Sequence, residues 1–184
     1  MFWVDVDYIN AQDIVSHMEE VFTVFETAWG YAGFAAGHSG ITRLLLPLPK
    51  RAVALSRFHG STFDADLMKD VQCAVIRYFV GQYMDFTDWP PVDLSNITGF
   101  GRTVLELCRQ TGYGRTISYG KLAKRAGKPA AARAVGVILA RNPVPLIIPC
   151  HRVLRNDGTL GGFSAAGGIK MKKRLLEMES RSPA

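Results

Sequence analysis

With 184 residues, 48% of them apolar, the chain can bury a core as one domain or two small ones. It contains no apolar run of about 18 residues that would span a membrane. Its net charge of +6 is unevenly divided: residues 1–93 hold 6 Lys/Arg against 12 Asp/Glu, and residues 94–184 hold 16 against 4. So basic a C-terminal half fits contact with a polyanion; DNA, RNA and acidic partners all stay open, with a solvated basic face as the plain alternative.

The first residues, "MFWVDVDYINAQD", are acidic and lack a basic stretch before an apolar one, which predicts no signal peptide and a cytoplasmic protein. Residues 11–21 read as a short helix. The β-branched and aromatic runs of "FTVFETAWGYAGFAAGHSGITRLLLPL", broken by glycines, predict an antiparallel hairpin turning at His38-Ser39-Gly40. Residues 64–83 carry Leu67, Val71, Ala74, Val75 and Tyr78 at helical spacing. Cys73 and Cys108, each in such an apolar helix, are expected as inert core thiols. "TDWPPVDLSN" (87–96) is the expected linker, where the charge changes sign, so the domains are taken as 1–93 and 94–184.

The second half is mainly helical. A helix is predicted over about 100–110, ended by Gly112. A second begins after the N-cap Ser118 and closes at Gly127; a third opens with Pro129 and runs to Asn142-Pro143. A turn of Gly127 to Pro129 between the last two makes a helix-turn-helix pattern. "GIKMKKRLLEMES" forms the closing helix. "GRTISYGK" is not a phosphate loop: five residues separate its glycines instead of about four, and Leu122 stands where Ser or Thr would hold magnesium.

The helix after Pro129 presents Ala130, Ala131, Ala132, Ala134 and Gly136, with Arg133 as the one long polar side chain among them. That is a poor face for reading major-groove base edges. Either it packs against another helix, or it presses into a narrow groove with Arg133 reaching further in.

"NPVPLIIPCHRVLRNDG" (142–158) frames Cys150 with three prolines at the end of an expected buried strand, beside His151, Arg152 and Arg155. A free thiol is about 3% ionised at neutral pH, so a nucleophilic cysteine needs a basic or cationic neighbour. Three cysteines with no CxxC argue against a disulfide framework, and four scattered histidines against zinc. An acid to orient His151 would come from elsewhere, with Glu177 and Glu179 available past Asp157.

"IPCHRV", preceded by "RNPVPL", "AARAVG" and "ISYGKLA", resembles the O6-alkylguanine-DNA alkyltransferases (methylated-DNA–protein-cysteine methyltransferases), densely over about 95–177. The resemblance implies an α/β protein: a small ribonuclease-H-like N-terminal domain, then a winged-helix-like domain with helix-turn-helix. It implies transfer of the alkyl group of a flipped O6-alkylguanine, and of O4-alkylthymine, irreversibly to Cys150, once per molecule. His151 would act through a water as base, polarised by Glu177. Asn142 would brace the turn beneath, and Tyr119 would help return a proton to the guanine. Arg133 would fill the vacated stack, with Ala131, Ala132 and Gly136 in the minor groove and Ser118, Lys121 and Lys128 along the DNA. Main-chain groups of Cys150 and Val153, with Ser164, would read the base; Leu139, Leu160, Gly161 and Phe163 would line its pocket. Double-stranded DNA would be the partner of a monomer needing no cofactor or metal.

Three positions depart from the family's usual pattern: Phe163 for Tyr, Ala165-Ala166 for a glycine pair, and Leu105 for Trp. A noncatalytic lesion binder, a winged-helix regulator and a Cys-His hydrolase are the rival readings. Cys150 argues against the first. The proline-framed cysteine argues against the second, and the arginine on an alanine helix against the third.

Overall fold

A computed structural model describes residues 20–181; the helix expected over 11–21 lies almost wholly outside them. Three strands follow one another as a meander, β1 (Val21–Thr27), β2 (Gly30–Gly37) and β3 (Gly40–Leu48), all antiparallel. The chain thus turns twice where one hairpin was expected. Gly30 (φ 118°) makes the extra turn possible, and Thr27 Oγ1 ties it by donating to the Gly30 carbonyl at 2.7 Å. After a short helix α1 (Arg51–Leu55), strand β4 (Thr62–Phe63) adds parallel to β1, giving the order β3-β2-β1-β4.

The sheet is covered on both faces. One face packs Phe22, Val24, Ala35 and Leu48 against Ala54 and Phe58. The other opens the main core, where Phe34, Ile41 and Leu46 meet helix α2 (Lys69–Phe79) through Val71, Val75, Tyr78 and Phe79. This helix is shorter than the expected 64–83. Its start is set by Met68 in the left-handed region and by the Gln72 amide, which donates to the Ala65 and Leu67 carbonyls. Cys73 is exposed, contrary to expectation, because Val71, Ala74, Val75 and Tyr78 already fill the buried stripe.

The same core continues through helix α3 (Gly99–Arg109), whose Val104, Leu105 and Cys108 are buried. Leu105 fills its place with 1% exposure, and burial pushes the Cys108 thiol far up, consistent with an inert role. The expected linker is bound to the sheet: Ile41 N–H donates to Pro91 O and Asp93 N–H to Ile41 O, both at 2.9 Å. Strand β5 (Ile117–Ser118) pairs in parallel with β6 (Val153–Leu154).

Helices α4 (Tyr119–Arg125) and α5 (Ala132–Ala140) form the helix pair. Their connection, 126–131, is longer than predicted. Gly127 (φ 79°) ends α4, but Pro129 does not open α5, since the chain makes a further turn closed by Ala131 N–H on Lys128 O. The apolar run before Cys150 is not a strand. Pro143, Pro145 and Pro149 supply no N–H for a ladder, so Val144, Leu146, Ile147 and Ile148 pack as a buried loop. Cys150–Arg152 is one turn of 3-10 helix, and α6 (Gly168–Arg181) closes the chain. No helix among the described residues is long and apolar enough to cross a membrane.

Candidate functional site

A cleft of about 610 Å³ opens between α4, α5 and the loop after β6. Its lining brings together Cys150, Tyr119, Arg133, Gly136, Leu139 and Phe163. Gly161 and Ser164 line it too, as do Ala132, Arg155 and Asn156. Behind Cys150 lies a second space of about 260 Å³, where Leu44, Leu45 and Leu46 of β3 face Pro145, Ala165 and Ala166. The thiol therefore stands between a mostly apolar cleft and a smaller recess with Asn142 and Ser164 in its wall.

Asn142 fixes this position. Its Nδ2 donates to the Ile148 carbonyl at 2.8 Å and to Cys150 Sγ at 3.3 Å, while its Oδ1 accepts from Val144 N–H at 3.1 Å. One side chain thus satisfies the proline-interrupted loop and holds the sulfur. Burial pushes the Cys150 thiol above its usual range; the Asn142 hydrogen bond and the charge of Lys172 pull the other way. The resting sulfur is a protonated thiol.

The acid that meets His151 is Glu179, two residues beyond the expected Glu177. His151 Nε2 and Glu179 Oε1 lie 3.0 Å apart, both residues almost wholly buried. Positions two apart on a helix differ by about 200°, so only one can face the core. On α6 the buried face is Lys172, Leu175 and Glu179, while Glu177 points outward and pairs with Lys173 at 3.7 Å. Burial alone would raise the Glu179 carboxyl, but hydrogen bonds from His151 and Arg152 hold it at about 2. Arg152 contributes Nε at 3.0 Å and Nη2 at 2.8 Å, and its Nη1 donates to the Thr111 carbonyl. Tyr78 Oη donates at 2.7 Å and Gly114 N–H at 3.2 Å.

With Glu179 a carboxylate, His151 Nε2 must be the donor, which leaves Nδ1 as an unprotonated acceptor. Burial lowers the His151 pKa despite Glu179, so the ring is neutral at physiological pH. Its Nδ1 is buried and makes no hydrogen bond among the described residues. A buried ring nitrogen without a partner is costly unless a small polar molecule meets it.

Two expected pocket residues stand apart from the cleft. Val153 is wholly buried, and its carbonyl accepts from Lys172 Nζ at 2.6 Å; Leu160 is half-buried outside the lining. Ser118 caps α4, accepting from Lys121 N–H at 3.2 Å, and Ser164 Oγ donates to the Ala140 carbonyl at 2.7 Å. Ala131 caps α5. Arg133, Lys121, Lys124, Arg125, Lys128 and Arg141 are all exposed around the helix pair. Gly161 is required by contact: a Cβ there would lie 2.5 Å from Tyr119 Oη and 2.7 Å from its ring.

Arg152, a candidate cationic neighbour of the thiol by sequence, instead pairs with Glu179, and neither Lys172 nor Tyr78 is among the site residues expected from sequence. For Lys172 a signal existed: a lysine three residues before Leu175 and seven before Glu179 falls on the apolar stripe of its helix. For Tyr78 there was none, since its partner is 101 residues away.

A model of the 6-O-methylguanine DNA methyltransferase DNA-binding domain matches residues 99–181. The methylated-DNA–protein-cysteine methyltransferase of Methanothermobacter thermautotrophicus is 35% identical over 82% of this chain and 80% of its own length. That of Mycobacterium tuberculosis is 44% identical over 81% and 87%. Among solved structures, the M. tuberculosis O6-methylguanine methyltransferase superposes with a TM-score of 0.74 at 32% identity, covering 90% of this chain and 95% of that one. The M. tuberculosis OGT in complex with DNA gives 0.73 at 35% identity, covering 89% and 96%.

Proposed function

The chain belongs to the methylated-DNA–protein-cysteine methyltransferase family, and from that premise we propose that it repairs alkylated DNA by direct reversal, taking the alkyl group of O6-alkylguanine onto Cys150. The observation that carries this reading is the pairing of a cleft-facing thiol with a neutral, carboxylate-anchored His151 whose Nδ1 is free to accept a proton.

A base inside a duplex cannot reach a sulfur at the back of a cleft, so the nucleotide must be flipped, at a cost of a few kcal/mol. Arg133, exposed at the cleft mouth on a helix of small residues, is suited to fill the vacated stack while Ala132 and Gly136 let the backbone approach the minor groove. The exposed lysines and arginines of 121–141 supply the phosphate contacts. In the cleft, a water bridging Sγ and His151 Nδ1 carries the thiol proton to the imidazole, and Glu179 stabilises the imidazolium. The sulfur attacks the alkyl carbon, a C–S bond forms, and the C–O6 bond breaks with its electrons on the guanine. Tyr119, whose hydroxyl is kept protonated by burial, passes a proton to the leaving base and recovers one through solvent as the imidazolium of His151 gives its proton up, so that the thiol's proton is balanced by the one gained by the guanine. The thioether has no thiol-exchange route back, so each molecule acts once.

In this reading the protein is a cytoplasmic monomer whose residues 94–184 form a winged-helix-like DNA-binding and acceptor domain. Residues 1–93 form a ribonuclease-H-like domain, and O4-alkylthymine is a second substrate. Incubation with duplex carrying radiolabelled O6-methylguanine tests the proposal: label should move covalently to wild type and not to Cys150→Ala. Tight lesion binding by wild type without transfer would favour a noncatalytic lesion binder instead.

A further inference from the structure

The Glu179 carboxylate is held from two halves of the chain. Arg152, His151 and the Gly114 N–H reach it from the C-terminal half, but its shortest neutral contact comes from Tyr78 on α2 of the N-terminal half, Oη to Oε1 at 2.7 Å. Tyr78 has no exposed surface, and its ring is clamped edge-on by Phe79 and Tyr113 at 5.3 and 6.0 Å between centroids. Burial, and then the negative charge of Glu179, push the phenol well above its usual pKa, so it remains a donor at every working pH. Oε1 receives Tyr78, His151 and Arg152 together.

We infer that Tyr78 is a positioning residue of the alkyl-transfer site: its hydroxyl sets the orientation and basicity of Glu179, and through it the proton affinity of His151, so that the N-terminal half takes part in activating Cys150. This rests on the proposed transfer to Cys150. A carboxylate already satisfied by several donors is a weaker acceptor toward the next one. Removing the Tyr78 donor makes Glu179 pull harder on the His151 Nε2–H, which stabilises imidazolium and raises the pH at which His151 becomes the neutral base. The other groups facing this pair are Arg152 and Cys150 on the 3-10 turn, Tyr113, and Lys172 on α6. None of them is changed by trimming Tyr78 to Phe. Tyr113 offers an internal control, because its Oη is buried beside Tyr78 and makes no hydrogen bond among the described residues.

The test is single-turnover methyl transfer by wild type, Tyr78→Phe and Tyr113→Phe across pH, with DNA affinity measured in parallel. At saturating DNA and at pH values on the acid limb, Tyr78→Phe should be slower by about tenfold, the scale of one hydrogen bond to a charged group, because more of its His151 is protonated there. Its DNA dissociation constant should be unchanged, and the acid limb of its pH–rate profile should move upward. Tyr113→Phe should match wild type in all three. A fluorinated tyrosine at Tyr78, a stronger donor that keeps ring and hydroxyl, should move the limb downward; it carries the test if the Phe variant folds poorly. An active wild type with coincident acid limbs for these variants would overturn the positioning role. A wild type that never methylates Cys150 would instead overturn the proposed function beneath it.

Discussion

Replacing Glu179 by Gln removes the one anion in a buried cluster that also holds Arg152 and His151. The carboxyl's pKa is about 2 in the fold against 4.5 for a free side chain. Since one unit is about 1.4 kcal/mol, its ionised form contributes on the order of 3 kcal/mol to stability. The folded pKa is the depressed one, so this contribution is complete above about pH 4.5 and is lost as pH falls toward 2. Glu179→Gln also strands the Arg152 guanidinium, whose side chain is 6% exposed; breaking a buried pair from one side costs about 3–5 kcal/mol. Urea unfolding should therefore show Glu179→Gln destabilised by about that much at neutral pH, with the gap to wild type closing in acid as wild type loses its own share. Methyl transfer by any folded fraction should be slow, because His151 loses its anchor. Glu177→Gln should match wild type in both respects, since Glu177 is exposed and pairs with Lys173 at the surface. Equal costs for the two substitutions, or equal acid sensitivity of wild type and Glu179→Gln, would refute this account of the relay.

Arg133→Ala should slow repair of duplex far more than reaction with free modified guanine, because only a duplex has a stack to refill; equal losses in the two assays would contradict that role. Gly161→Ala should drive the Tyr119 ring out of place, and a displacement near 1 Å costs transfer on the order of a hundredfold; a rate within twofold of wild type would mean Tyr119 is not needed there. Ala165 and Ala166 narrow the recess behind Cys150, so O6-benzylguanine should react poorly and Ala165→Gly should recover benzyl transfer more than methyl transfer; wild type already as fast on benzyl as the variant would place the limiting wall elsewhere.

How much of this was legible in the sequence depends on the range of the interaction. Local signals read correctly: Ser118 as a cap, Gly127 as a helix end, and Asn142, Cys150 and His151 in one short segment that folds back on itself through the Asn142 amide. What the sequence misplaced were phases and irregular backbone. Glu177 and Glu179 differ by two positions, and the choice between them rests on the rotation of α6, which Lys172 and Leu175 announce only if a buried lysine is taken seriously. The apolar helix around Cys73 suggests a core position, yet four better-placed residues fill that face. The apolarity of the run before Cys150 suggests a strand, although prolines at every few positions deny it a ladder. The Tyr78 contact was beyond reach, because no periodicity connects residues so far apart in the chain.

The central claim is that Cys150 itself becomes alkylated, once, with the DNA base restored. Intact-mass and peptide mass spectrometry after reaction with excess duplex carrying O6-methylguanine tests it most directly. The account predicts a protein heavier by one methylene per chain, with the methyl group on the Cys150 peptide, Cys73 and Cys108 unmodified, and one guanine regenerated per protein. Methylation at the exposed Cys73, repeated turnover, or a bound lesion beside an unmodified Cys150 would contradict it.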